Sequence, residues 1–339
     1  MEGIKGFTVG QIQKKKSADI QYKETMGFNR KWPVFERFTR GDQWPPITQG
    51  TEDLPRPVFN IIEYIAEHKV NSVKGQELKP VFSLEEGQNE EYREENENIA
   101  TEIPMKFNIS TENTWENINQ DQINERVLYD AQMKGSGFAH YYLNKKQGGR
   151  KLKFIDELDG EVIDPINVGL GNPNLQNIQD QPYILIYNRE STKDLKEEAL
   201  SNGIGEGDVS QISGDNNTND LRYDSAKVEM GDTELTNTVL IYWKETSTDE
   251  EGNEIKSVYY QKVTDSVEIC KATDTELALY PVAKMTWKER NMCGFGYGDV
   301  EGIIPNQRIL NFLLAAQALS VQKTGFPNLV YKSGSIRRE

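Results

Sequence analysis

Between Ser17 and Arg40 the residues Tyr22, Met26, Phe28, Trp32, Phe35 and Phe38 recur at mixed three- and four-residue steps. That spacing puts them on one side of a helix and predicts an amphipathic helix, interrupted near Pro33. The pattern stops at Gly41-Asp42-Gln43-Trp44-Pro45-Pro46, where Gly and Pro-Pro force a break. After Pro57 the apolar positions Phe59, Ile62, Ala66, Val70 and Val73 predict a second helix, with Gly75 at its C-cap. Residues 78–84, with Pro80-Val81-Phe82-Ser83, read as a short strand. Residues 85–102 hold eight glutamates against Arg93, which suits a solvated helix. From Thr114 to Lys134, Trp115, Ile118, Ile123, Val127, Leu128 and Met133 predict one continuous helix ended by Gly135 and Gly137.

Strand patterns then take over. Phe138–Leu143 and Lys151–Leu158 flank Lys-Lys-Gln-Gly-Gly and predict a hairpin. Further strands are expected at Gly160–Asp164, Tyr183–Tyr187, Thr238–Lys244, Ser257–Lys262, Val267–Lys271 and Pro281–Trp287, with a helix at Ser191–Leu200. Residues 201–237 are rich in Gly, Asn and Asp and show no periodicity, so they predict a long loop or poorly ordered insertion. After the turn Gly294-Phe295-Gly296-Tyr297-Gly298, a long and largely apolar helix is predicted over Asp299–Lys323, with Pro305 in its early part.

Charge changes the picture of possible partners. The chain is acidic, with a net charge of −15, and only 36% of its 339 residues are hydrophobic. A module that grips DNA is ordinarily basic, because its affinity comes from Lys and Arg on phosphates. The charge is polarised along the sequence. Residues 299–339 carry Arg308, Lys323, Lys332, Arg337 and Arg338 against Asp299, Glu301 and Glu339, a net of +2. The length suits two or more domains at ~100–200 residues each. The two cysteines, Cys270 and Cys293, build no disulfide framework or metal spacing. The N-terminal segment has no signal pattern, no run reaches ~18 uninterrupted apolar residues, and no membrane span is expected.

Candidate chemistry is thin. Asp156, Glu157, Asp159, Glu161 and Asp164 could hold divalent metals, but alternate strand residues face opposite sides and no Lys or His lies next to them in sequence. Asp249-Glu250-Glu251-Gly252-Asn253-Glu254 lacks the order of a calcium loop and reads as a hairpin tip. The Gly294–Gly298 turn fits neither phosphate-binding pattern and reads as a flexible entry into the helix. His68 and His140 lie in unlike contexts, on a helix and a half-buried strand, which argues against a zinc site or a triad. No catalytic residue, metal or cofactor is assigned, and a structural role is expected rather than an enzyme.

Three segments together resemble tailed-bacteriophage portal proteins, the head-tail connectors of the P22-like kind. They are Arg37-Phe38-Thr39-Arg40-Gly41-Asp42-Gln43-Trp44; Arg56-Pro57-Val58-Phe59-Asn60-Ile61-Ile62 leading to Gly75 and Pro80; and Gly294 through Pro305 to Gln307-Arg308-Ile309-Leu310-Asn311. The resemblance implies an α+β fold with a helical and mixed-sheet wing (1–290), a stem entry and first stem helix (291–324), and the start of a clip (325–339). It implies a ring, a dodecamer in that family, at one capsid vertex, assembled in the bacterial cytoplasm and carried in the virion. Double-stranded viral DNA would pass through it without sequence preference. The terminase large subunit, head-tail adaptor, major capsid protein and scaffolding protein would be its partners.

On that resemblance Arg308, Asn311, Gln317 and Lys323, with Gln307, supply channel-facing groups. Ile304, Leu310, Leu314 and Leu319, with Ile303 and Leu313, meet neighbouring subunits, and Phe326, Tyr331 and Lys332 belong to the clip. Arg308 and Lys323 have a second reading, as salt bridges between subunits. The sequence departs from the family after Glu339, where the rest of the clip, the returning stem helix, the tunnel loop and any crown would follow, so a shortened chain is expected. The competing expectations are another virion ring or scaffold-associated protein, and, from a different class, a carboxylate-metal nuclease centred on Asp156.

Overall fold

The computed structural model describes residues 6–75, 79–83, 97–144, 157–214, 217–218, 228–229, 234–248 and 254–325. The fold is mixed α+β, with helices and antiparallel sheets. Helix α1 (Val9–Met26) starts in a capping box, with Thr8 and Gln11 satisfying each other's backbone N–H. It ends at Gly27 in the left-handed conformation, φ +74°, and α2 (Phe28–Thr39) begins at once. The predicted interruption therefore falls at Gly27 rather than Pro33, which α2 carries inside it. A residue without Cβ reverses the chain more cheaply than a proline bends it.

Helix α3 (Ile61–Lys74) is capped by Asn60 and closed by Gly75, as its pattern predicts. Residues 79–83 form no strand. They lie along α4 (Glu97–Asn117), where Asn108 accepts from the Phe82 N–H and donates to the Phe82 carbonyl. Of the acidic run at 85–102, residues 85–96 lie outside the described residues and the rest opens α4. The continuous helix expected over Thr114–Lys134 is two helices. Asn119, at φ +52°, separates α4 from α5 (Gln120–Lys134).

A three-stranded antiparallel sheet follows in the order β10-β1-β2, with β1 Ser136–Asn144, β2 Glu157–Ile163 and β10 Val282–Thr286. Strand β1 pairs with β2 from Phe138↔Ile163 to Asn144↔Glu157, so its partner is mainly the segment expected as a separate strand at Gly160–Asp164. Of the expected hairpin arm Lys151–Leu158 only 157–158 take part, and 145–156 lie outside the described residues. The larger sheet has five antiparallel strands, β3-β4-β7-β8-β9, with β3 Val168–Leu170, β4 Tyr183–Ser191, β7 Leu235–Thr248, β8 Glu254–Thr264 and β9 Glu268–Asp274. Its central strands β4 and β7 are buried on both faces over Ile184–Tyr187 and Ile241–Trp243. Ile184 and Ile186 face a core of Phe28, Trp32, Phe138 and Phe295, while Leu185 and Tyr187 face Ile12 of α1.

One buried ion pair fixes α1 to this sheet. Lys23 is bonded to Asp19 at 2.8 Å and donates to the carbonyls of Ile166 and Val168. Helix α6 (Thr192–Ser201) and the single turn α7 (Glu206–Val209) cover β9, and a two-residue ladder joins β5 (Asn217–Thr218) to β6 (Val228–Glu229). The loop expected over 201–237 is thus folded in its first part, because Val209 and Ile212 are buried with Ala199, Val267 and Ile269. The final element, α8, runs over Asp299–Thr324 and packs on α2, α3 and α5.

Candidate functional site

The Gly294–Gly298 turn sets where α8 begins. Phe295 is fully buried, edge-on to Phe28, Trp32 and Phe138. A Cβ on Gly296 would lie 2.1 Å from the Gly135 carbonyl oxygen, and one on Gly298 2.4 Å from that of Met133. These glycines let two backbones touch. The turn is a packed joint, so the expectation of flexible entry is corrected. Trp287 and two lysines then hold the first helical residue: Asp299 accepts from Lys69 at 2.6 Å, Lys288 at 2.5 Å and the Trp287 indole at 2.9 Å. Partial burial opposes the Asp299 carboxylate, yet the bonds from Lys288, Lys69 and Trp287 hold its pKa below the usual range.

Further along, α8 turns polar side chains inward. Gln307 donates to the Phe59 carbonyl (2.7 Å) and to Asn311 (3.0 Å), and accepts from the Ile61 N–H (3.2 Å). Asn311 donates to Gln43 at 2.6 Å, and Gln43 donates to the Phe38 carbonyl and to Asn60, both at 2.8 Å. Asn60 closes the chain on the Thr39 carbonyl at 2.7 Å. Gln43, Gln307 and Asn311 are all buried. The three segments that carry the portal resemblance thus meet in one hydrogen-bonded seat, although Gln43 and Asn311 are 268 positions apart.

The opposite side of α8 is apolar and uncovered. Ile309, Phe312 and Leu313 are 59%, 66% and 58% exposed, and Ala316 continues the same line at i, i+3, i+4, i+7 spacing. Beyond Ala315 no described residue of the helix is buried: Ala318 and Leu319 are half-buried and the rest of its last nine residues are exposed.

Against this geometry the expected site residues separate. Asn311 is corrected from a channel group to a seat residue, because its amide is consumed by Gln43 and Gln307. Gln307 goes with it. Ile304 is buried inside the chain, against the main core, instead of offering itself to a neighbour. Leu310, Leu314 and Leu319 are half-buried on the flanks of the helix. Arg308, Gln317 and Lys323 are exposed, with the Arg308 guanidinium 5.0 Å from the Phe38 ring centre. Phe326, Tyr331 and Lys332 lie outside the described residues. Gln43 was the residue whose role the sequence reading missed. The only signal for it was its place in the Gly-Asp-Gln-Trp segment.

Of the carboxylates at 156–164, the described ones, Asp159, Glu161 and Asp164, do not converge. The Asp156 and Glu157 side chains lie outside the described residues, Glu161 pairs with His140 at 3.0 Å, and Asp164 pairs with Lys134 at 2.5 Å. Partners that are absent in sequence are therefore brought in by the fold. His140 is buried rather than half-buried, and its Nε2 reaches the Tyr242 hydroxyl at 2.9 Å, linking the two sheets. Among the described residues no group of three or more His, Cys, Asp and Glu side chains is placed to hold a metal ion.

Lys134 also meets Glu36 at 2.7 Å and Asp130 at 3.6 Å, at the back of a cleft of about 690 Å³ between α2, α3, α5 and β2. Burial pushes the Asp130 carboxyl up to about 6 despite the neighbouring ammonium. Three carboxylates share one cation there, which makes the cluster a tie between α2, α5 and the end of β2. No helix of the described residues is long and apolar enough to cross a membrane. No protein-family model matches the chain, and a comparison with curated proteins finds no match.

Proposed function

We propose that this chain is a ring-forming subunit of a tailed-phage portal, a structural protein through whose central hole double-stranded DNA moves. The observation that carries the reading is the polarity of α8. Its inward side sets a satisfied amide network, Gln307 and Asn311, between the buried Ile304 and Ala315, while its outward side presents Ile309, Phe312 and Leu313 to water. Contiguous apolar surface of that kind marks a face that another chain covers. The joint of the three resembling segments supports the same reading, since it fixes the direction in which α8 leaves the body. A chain with 54 carboxylates against 39 Lys and Arg suits a channel that lets DNA slide and does not hold it.

The terminase, adaptor, capsid and scaffolding partners, and residence in the virion, belong to this proposal through the resemblance. Negative-stain electron microscopy and mass photometry of the purified chain at micromolar concentration test it. The expected outcome is closed rings with a hole wide enough for duplex DNA. A monodisperse monomer across that range overturns the reading. Rings too narrow for a duplex favour the alternative of another virion ring protein.

A further inference from the structure

A closed ring needs two different patches on each subunit, because a head-to-tail contact joins one surface of a copy to another surface of the next. On the ring reading, the outward line of α8 is one patch, and its counterpart is to be found on the same chain. Helix α4 supplies it. From Glu102 to Asn117 none of its residues is buried, and among the described residues its side chains meet residues 79–83 through Phe82, Asn108 and Glu112, which leaves a helix of this length only marginally covered. Met105 and Ile109 are 64% and 49% exposed, and they fall on one line with Glu102, Glu112 and Glu116, at successive steps of three and four. Along that line α4 carries Met105 and Ile109 between carboxylates at both ends, with Lys106 flanking it beside Glu102.

The α8 face has the opposite charge. Ile309, Phe312, Leu313 and Ala316 are flanked by Arg308 at one end and Lys323 at the other, and residues 302–325 carry no carboxylate. The spans agree. Arg308 and Lys323 are 15 residues apart, about 22 Å along a helix axis, and Glu102 and Glu116 are 14 apart, about 21 Å. Within one chain Glu102 pairs with Lys106 and Glu112 with Lys79, all on the surface. Exposed pairs of this sort contribute little, so exchanging partners on assembly costs little. We infer that the apolar-basic face of α8 on one copy packs on the apolar-acidic face of α4 on the next copy. Arg308 and Lys323 then pair with Glu102 and Glu116 of that neighbour rather than with DNA phosphates.

The inference rests on the ring reading, and two measurements separate their fates. Ile109→Cys and Phe312→Cys are made in separate chains, mixed at assembling concentration and treated with a short bismaleimide; Cys270 and Cys293 are buried and stay in place. Dimers linked only when both variants are present are expected. Assemblies in which Phe312→Cys links to itself, and never to Ile109→Cys, overturn the α4–α8 contact and leave the ring reading standing. Absence of any particle heavier than the monomer overturns both.

The second measurement reverses charge. Arg308→Glu with Lys323→Glu, both at exposed positions, should raise the midpoint concentration for assembly at least tenfold with an unchanged circular dichroism spectrum. Glu102→Lys with Glu116→Lys on the partner copy should restore it. Failure of that rescue in a variant that still folds overturns the pairing.

Discussion

Helices α6 and α8 both lie against the body of the protein, yet they are built in opposite senses. In α6 the inward pair at i, i+4 is Leu195 and Ala199, both fully buried, and the outward side carries Lys193, Asp194 and Glu197. In α8 the inward pair at the same spacing is Gln307 and Asn311, and the outward side carries Ile309, Phe312 and Leu313. The first helix is held by apolar burial, which is non-directional and tolerates small rotations. The second is held by apolar burial at Val300, Ile304 and Ala315 and, between them, by amides that each have one geometry, which fixes its rotation about its own axis. A helix that must present a defined face to another chain benefits from the second arrangement, at the cost of burying polar groups that have to stay paired.

The comparison breaks most visibly at Leu195. Leu195→Ala removes a fully buried side chain from α6 and should cost about 2–5 kcal/mol, read from guanidinium unfolding followed by circular dichroism. A smaller loss is expected at the corresponding place in α8. Asn311→Ala leaves the Gln43 side-chain oxygen without its donor and Gln307 with one acceptor fewer, for about 1–3 kcal/mol. The two variants should also differ in kind. Amide exchange near the α8 seat, at Ile61 and along 307–315, should rise in Asn311→Ala and stay unchanged in Leu195→Ala. Equal effects on exchange at both places would show that α8 is held by ordinary burial and that its amides are incidental.

Local rules made much of this legible. Asn60 and Gly75 bracket α3 because capping acts within four residues, and the strands at Tyr183–Tyr187, Thr238–Lys244 and Ser257–Lys262 were readable because short runs of β-branched and aromatic residues mark them. What escaped depends on contacts distant in sequence. A Gln or Asn inside an amphipathic helix reads as a solvated residue until its partner is known, and Gln43 lies 268 positions from Asn311. The break at Asn119 was hidden because Ile118 and Ile123 keep the apolar rhythm running across it. Lys134 and His140 reach Asp164 and Glu161 only through the packing of α5 and β1 against β2. In 201–214 two apolar residues, Val209 and Ile212, were enough to fold a segment whose glycines suggested a loop. The outward apolar line of α8 was legible as excess hydrophobicity, but which side of the helix faces the body was not.

That last distinction sets up the smallest effect on stability and the largest on assembly. Leu313 is 58% exposed, so Leu313→Ala should shift the unfolding free energy of the single chain by less than about 0.5 kcal/mol. In a ring the same side chain would be buried once per interface, and removing three carbons' worth of contact at every interface should move the assembly midpoint well above its original concentration. Mass photometry over a dilution series reads the second quantity, and denaturant unfolding of the dilute chain reads the first. A Leu313→Ala chain that assembles as before, with unfolding unchanged, would show that this face of α8 stays in water. The inverted polarity of the helix would then need another cause, because among the described residues nothing covers this outward line.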